Sequence, residues 1–361
     1  MPIKFNYIKA IFPGIVLALV FCLFSQGINN VLAIEIFNTP KSPISTVLIA
    51  ILLGILMGNA FTPRPGMMIG LDFTQQYILK LGIIFLGIRL SFADLIKFGS
   101  IAIPLVIFCI VGVLILIKLL IKKVPISSKM SYLIAIGTSV CGATAIVATA
   151  PVINAKKTEV AYAIANITLF GVIAMLVYPY FAEWYFDNNS IEAGLFLGTS
   201  IHETSQVAAA GLIYDQQFNN PETLDVATVT KLIRNTFLVI LIPLFAFLYN
   251  RGEIRDQKYS IFNIFPYFVL GFIGMIIVRN LGDQFFSIEN NNFYIWSKFI
   301  EYLKILATVF LTMAMAAVGI SINLSELKSM GYKPFIVGLI AAITVGIISL
   351  VYIETVKNFL F

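Results

Sequence analysis

Charged side chains are the scarcest resource of this sequence: Asp, Glu, Lys and Arg make up 12% of it against 59% apolar residues, and the 361 residues include one histidine, two tryptophans and three cysteines. Soluble domains carry about a quarter charged residues, so this scarcity excludes an ordinary water-soluble protein. Alternating strand patterns are missing as well. That leaves helices, because lipid requires each span to satisfy its own backbone. No polar stretch is long enough for a separate soluble domain, so 1–361 reads as a single transmembrane transporter domain. Cys22, Cys109 and Cys141 all fall in apolar segments without metal-ligand spacing. The expectation is therefore no metal and no cofactor. The net charge of +6 is no nucleic-acid signal, since Lys and Arg cluster in short loops as the positive-inside bias predicts.

What is present is a succession of apolar runs near the roughly 20 residues that a span needs. Eleven segments qualify: roughly 10–28, 43–61, 76–93, 98–121, 131–152, 160–182, 191–213, 232–249, 263–280, 300–322 and 334–353. The first, preceded by Lys4 and Lys9, is longer than a signal core and lacks a clear cleavage site, so it reads as a retained span. Lys118, Lys122, Lys123 and Lys129 place the loop before 131–152 in the cytoplasm. If 131–152 and 191–213 re-enter from opposite faces, Lys156 and Lys157 stay inside, as do Arg251, Arg255 and Lys258. The count is then nine spans and two hairpins; eleven crossings with both segments broken midway is the alternative. An echo supports inverted architecture: Gly87-Ile88-Arg89-Leu90-Ser91-Phe92-Ala93-Asp94-Leu95 aligns with Gly319-Ile320-Ser321-Ile322-Asn323-Leu324-Ser325-Glu326-Leu327. The echo precedes one Gly-Thr-Ser segment and follows the other, an order that requires permutation.

Both interrupted segments carry Gly-Thr-Ser and a β-branched residue: Gly137-Thr138-Ser139-Val140-Cys141-Gly142-Ala143-Thr144 and Gly198-Thr199-Ser200-Ile201-His202-Glu203-Thr204-Ser205. A broken helix exposes N–H groups at the positive end of its second half. Thr138, Ser139 and Thr144 offer hydroxyls at the first break, and Gly142 or Gly137 permits the turn. Thr199, Ser200, Thr204, Ser205 and the Gln206 amide serve the second. Two such ends suit an oxyanion. His202 and Glu203 form an ionisable pair suited to proton coupling. Lys231 and Arg234 share a helix face at the start of segment 232–249, where they either bind the anion or snorkel to the interface. Arg is the better partner, since its fork holds two oxygens. Arg89 with Asp94, and Glu301 with Lys304, read as local pairs or interface anchors. Asn166 reads as helix–helix glue.

These runs resemble a known family. AIGTSVCGATAIVATAPVI (135–153), LGTSIHETSQVAAAG (197–211), TKLIRNTFL (230–238) and GIRLSFADL (87–95) are similar to the proposed sulfate exporter family of YeiH-like membrane proteins. The resemblance implies an inner-membrane anion transporter for sulfate or a related sulfur oxyanion. By matching motif, it implies functional roles for Thr138, Ser139, Cys141, Gly142, Thr199, His202, Glu203, Ser205, Lys231 and Arg234. Where the family commonly reads CGAS, this chain reads CGAT at 141–144, keeping a hydroxyl. The expected fold is an all-α polytopic inverted-repeat transporter with two interrupted helices. The expected partners are a small inorganic anion, a coupling H+ or Na+, and the lipid bilayer; homo-oligomerisation stays open. A sodium- or proton-coupled transporter of a small organic carboxylate or sulfonate is the alternative. From another class, an intramembrane enzyme built on Cys141 and His202 lacks a family-specific motif, so no catalytic residue is expected.

Overall fold

The computed structural model describes residues 5–39, 42, 44–61, 63–120, 127–249, 265–286, 293–323 and 332–360. The protein is all-α: among the described residues there is no strand. In chain order the helices are α1 (Phe5–Val31), α2 (Thr46–Ala60), α3 (Pro65–Phe73), α4 (Leu79–Leu86), α5 (Phe92–Leu120), α6 (Ser128–Ser139), α7 (Ala143–Thr149) and α8 (Lys157–Phe186). They continue with α9 (Ser190–Ser200), α10 (Thr204–Phe218), α11 (Pro221–Thr236), α12 (Leu238–Tyr249), α13 (Phe268–Phe285), α14 (Phe293–Ser321) and α15 (Tyr332–Leu360). Among the described residues eight runs are long and apolar enough to cross a membrane: Lys9–Ile36, Pro65–Arg89, Phe92–Leu119, Lys157–Phe186, Pro221–Phe245, Phe268–Phe285, Phe293–Ser321 and Phe335–Lys357. The protein is therefore a multi-pass membrane protein. Lys122, Lys123, Arg251, Arg255 and Lys258 of the orientation argument, and the second echo beyond Asn323, lie outside the described residues.

The chain divides into two compact units. The first comprises Met1–Leu95, Gly211–Asp225 and Phe268–Ser325; the second comprises Ile96–Ala210, Val226–Tyr267 and Glu326–Phe361. In the first unit α14 packs along α2, and α1 along α3. The α2–α14 contact depends on small residues, as membrane helix pairs do. A Cβ on Gly54 would lie 2.6 Å from the Ala316 carbonyl oxygen, and one on Gly319 would lie 2.5 Å from that of Ile51.

The same unit holds an ion cluster built from distant segments. Arg89 Nε lies 2.7 Å from Asp225 Oδ1, Nη1 lies 3.6 Å from Asp215 Oδ2, and Nη2 donates to the Pro221 carbonyl at 3.0 Å. This corrects the expected Arg89–Asp94 pairing. Asp94 instead accepts from the Ser91 N–H at 2.9 Å and from its hydroxyl at 2.7 Å, closing the first turn of α5. Glu301 likewise pairs with Lys298, at 2.7 Å, and not with Lys304. Both expectations took the nearest opposite charge in sequence, whereas α10 and α11 bring two carboxylates to Arg89. Replacing Arg89 with Leu leaves those carboxylates without their cation, a loss of about 3 kcal/mol for a mostly buried pair. The expected result is a melting temperature lowered by roughly 6–12 °C in detergent, recovered in part by adding Asp225→Asn. An unchanged melting temperature for Arg89→Leu would show the cluster to be dispensable.

In the second unit α8 packs against α6, α7 and α9, and α15 packs against α6, α8 and α9. Asn166 of α8 packs against α15 at Gly338, so close that a Cβ there would overlap its amide. That is the helix–helix role expected of it.

Candidate functional site

The second unit contains both helix breaks. Helix α6 ends at Ser139, and α7 begins at Ala143 after Val140, Cys141 and Gly142. Helix α9 ends at Ser200, and α10 begins at Thr204 after Ile201, His202 and Glu203. Hydroxyls near each helix end bond back to the preceding turn, a pattern that competes with helix continuation. Ser139 Oγ donates to the Ala135 carbonyl at 2.6 Å, and Thr199 Oγ1 to that of Leu195 at 2.7 Å. The first break then turns on Gly142, at φ +64° and ψ −129°, a conformation open essentially to glycine alone. The second uses the extended backbone of Ile201, at φ −88° and ψ 140°.

Ending a helix leaves its last four carbonyls without partners, and in a buried setting each unsatisfied group costs on the order of 1–3 kcal/mol. Helix α11 answers this for both breaks at once. Arg234 donates from Nε to the Ser139 carbonyl at 2.7 Å, from Nη1 to those of Thr199 at 2.6 Å and Ile201 at 3.0 Å, and from Nη2 to that of Thr138. Lys231 Nζ donates to the carbonyls of Val140 at 2.9 Å, Ile201 at 3.0 Å and His202. Cations are the favoured partners of negative helix C-termini. Both side chains have 0% exposure.

This placement corrects the position expected for the two cations. The polar run from Pro221 to Thr230 does not precede the span but forms its first turns, with Thr223, Thr228 and Thr230 buried. Lys231 and Arg234 thus lie inside a membrane-length helix rather than at its start, and neither snorkels. Hydropathy windows miss such a start because they score its buried threonines as if they met water or lipid.

The expected site residues fall into three groups. Thr138, Ser139, Cys141, Gly142, Thr199, Ser200, His202, Ser205 and Gln206 are all buried with the cations. Glu203 and Thr204 are half-buried at the second break. Thr144 is exposed and stands apart. Glu203 reaches across to the first break, where its Oε1 accepts from the Ala143 N–H at 3.3 Å, and its side chain occupies the space a Cβ on Gly142 would need. Gln206 is engaged locally: its Oε1 accepts from the Glu203 N–H at 3.1 Å, and its Nε2 donates to the Thr168 carbonyl at 3.4 Å. Thr199 Oγ1 also meets Ser349 Oγ of α15 at 2.7 Å.

Two residues outside the expected set join the cluster. Asn235 donates to Thr204 Oγ1 at 2.9 Å, and Thr230 packs on Gly198, whose missing side chain lets α9 approach α11. Both were within reach of helix periodicity, since Asn235 follows Lys231 by one turn and Thr230 precedes Arg234 by one turn.

Several buried polar atoms around the cations have no hydrogen-bond partner among the described residues: Thr138 Oγ1, Ser200 Oγ, Thr230 Oγ1, Asn235 Oδ1 and both ring nitrogens of His202. Buried polar groups are usually paired, so six such atoms on the segments that Lys231 and Arg234 join mark a place suited to a polar ligand.

Fold and composition define an all-α, multi-pass membrane protein. Within that class the chain belongs to the family described as Conserved hypothetical protein 698, which matches residues 13–338. A UPF0324 membrane protein of Streptococcus agalactiae serotype V is 35% identical over 303 residues, covering 83% of this chain and 86% of its own. One from Fusobacterium nucleatum is 33% identical over 323 residues, covering 88% and 91%. A third, from Clostridium tetani, is 28% identical over 357 residues, covering 95% and 96%. No solved structure matches the chain.

Proposed function

We propose that this protein is a secondary transporter of a small anion, sulfate or a related sulfur oxyanion, exported across the cell inner membrane. One observation carries the reading: two cations, Lys231 and Arg234, are fully buried on α11 near hydroxyls and an imidazole that have no hydrogen-bond partner among the described residues. Charge and unsatisfied donors together complement an oxyanion, whose oxygens accept charge-assisted bonds. The paired breaks α6–α7 and α9–α10 fit the interrupted helices with which inverted-repeat transporters build their sites.

The cations act mainly through their field. Four of the five guanidinium N–H groups of Arg234 and all three of Lys231 already meet carbonyls. The contacting groups are therefore the hydroxyls of Thr138 and Ser200, the ring of His202 and the remaining Arg234 N–H. No bond is made or broken in this reading, so Cys141 acts as a small buried residue and not as a nucleophile. His202 and Glu203 are the candidates for coupling to protons, with Na+ the other coupling ion considered.

The test is counterflow of labelled sulfate and sulfite in proteoliposomes. Saturable exchange of at least one, competed by the other, is expected. Exchange of neither, alongside saturable exchange of a small carboxylate, would replace the sulfur oxyanion with an organic acid. A flux that fails to saturate would point to a channel.

A further inference from the structure

The charge of the cluster limits the charge of its ligand. Lys231 Nζ faces three carbonyl oxygens, an arrangement that uses all three protons of the ammonium form. Arg234 is a cation at all ordinary pH. Each broken helix brings a negative end and a positive end to the same place, so the helix dipoles cancel to first order. Among the described residues, the carboxylate acting on Lys231 is that of Glu203, which spans from the second break to Ala143 at the first. Two cations against one carboxylate leave a single positive charge; with the carboxyl protonated, two remain.

We infer, given the anion-binding reading above, that the protonation of Glu203 sets the charge class of the transported anion: a monoanion travels with the carboxylate ionised, and a dianion travels only with one proton added to it. The proton comes from water on the loading side, adds to a carboxylate oxygen, and leaves on the far side with the anion. The charged and titratable groups facing Glu203 are Lys231 from α11 and Cys141 from the first break, with Arg234 and His202 completing the cluster. Of these, His202 is the rival proton carrier, and the experiment separates the two.

The probes are sulfate and methanesulfonate, which present similar sulfur–oxygen faces as dianion and monoanion, and neither titrates between about pH 5.5 and 8.5. In wild-type proteoliposomes, sulfate counterflow should rise as pH falls, by up to about tenfold per unit for one proton per anion. Methanesulfonate counterflow should not rise. In vesicles loaded without anion, a pH dye inside should report protons entering as sulfate enters down its own gradient and none entering with methanesulfonate. In Glu203→Gln the buried charge is fixed at the higher value. The ratio of sulfate to methanesulfonate exchange at about pH 8 should then increase at least tenfold, and the pH dependence of sulfate exchange should vanish. Persistent pH dependence in Glu203→Gln overturns the proposal in favour of His202. Should Glu203→Gln fail to fold, the wild-type dye measurement decides alone: protons moving with both anions or with neither overturn the proposal. Saturable exchange of neither probe by the wild type at any pH would overturn the anion-binding reading itself.

Discussion

Replacing Arg234 with Leu is expected to abolish transport and to remove most of the folded protein. The substitution keeps bulk but takes away the donors to Thr138, Ser139, Thr199 and Ile201, four carbonyls at the ends of two different helices. No water-filled exterior is at hand to replace them, since Arg234 has 0% exposure. The Ile201 carbonyl keeps Lys231; at about 1 kcal/mol for each of the other three, the low end of the range, the loss is on the order of 3 kcal/mol. That is a large share of the 5–15 kcal/mol typical of whole domains. The melting temperature of any protein recovered should fall by on the order of 10 °C. Arg234→Lys retains the charge but offers three donors from one point in place of the guanidinium fork, so it cannot reach all four carbonyls. An intermediate melting temperature with little flux is expected of it. If Arg234→Leu were as stable as wild type, the carbonyl network would not be what holds the breaks together.

Gly142→Val is the second substitution with a large expected effect, for reasons of shape rather than charge. At φ +64° and ψ −129°, an L-residue pays on the order of 1–3 kcal/mol in backbone strain, and a β-branched one is the least able to adopt that conformation. Its side chain would also enter space held by Glu203, forcing the carboxylate away from the Ala143 N–H. Together these imply roughly 2–4 kcal/mol of destabilisation and a site whose charged groups no longer converge. Flux should be lost even in protein that purifies well. Gly142→Ala, with a smaller intrusion, should fall between the two. Wild-type flux in Gly142→Val would show that neither the turn nor the position of Glu203 matters.

Much of this architecture was legible in the sequence. Among the described residues, eight of the eleven apolar segments correspond to helices long and apolar enough to cross a membrane, because lipid exposure imposes a composition that a single chain displays. Both breaks fall at the Gly-Thr-Ser runs, where local hydroxyl chemistry and one glycine act over a few residues. The spacing of Lys231 and Arg234 likewise announced a shared face. What stayed hidden depends on partners far away in sequence. Arg89 finds Asp215 and Asp225 only because folding brings them together, so a neighbouring Asp94 was the natural but wrong choice. The start of α11 was hidden because its threonines are buried among protein groups, which hydropathy scores as if they met water or lipid. Nor does sequence reveal that the two cations face carbonyl oxygens: a broken helix has two polar ends, and only three-dimensional placement shows which end a side chain meets.

The most direct test of the account is equilibrium binding of radiolabelled sulfate to the purified protein at about pH 6, where proton-assisted dianion binding is favoured. Wild type is compared with Thr138→Val/Ser200→Ala, which removes two unpaired hydroxyls and leaves the carbonyl network of Lys231 and Arg234 in place. Saturable binding of about one anion per chain is expected in wild type. In the variant, binding should be at least tenfold weaker, as for lost hydrogen bonds to a charged ligand, with an unchanged melting temperature. Saturable binding of equal strength in the two proteins would contradict the proposed site, because the anion would then sit somewhere other than between the two breaks.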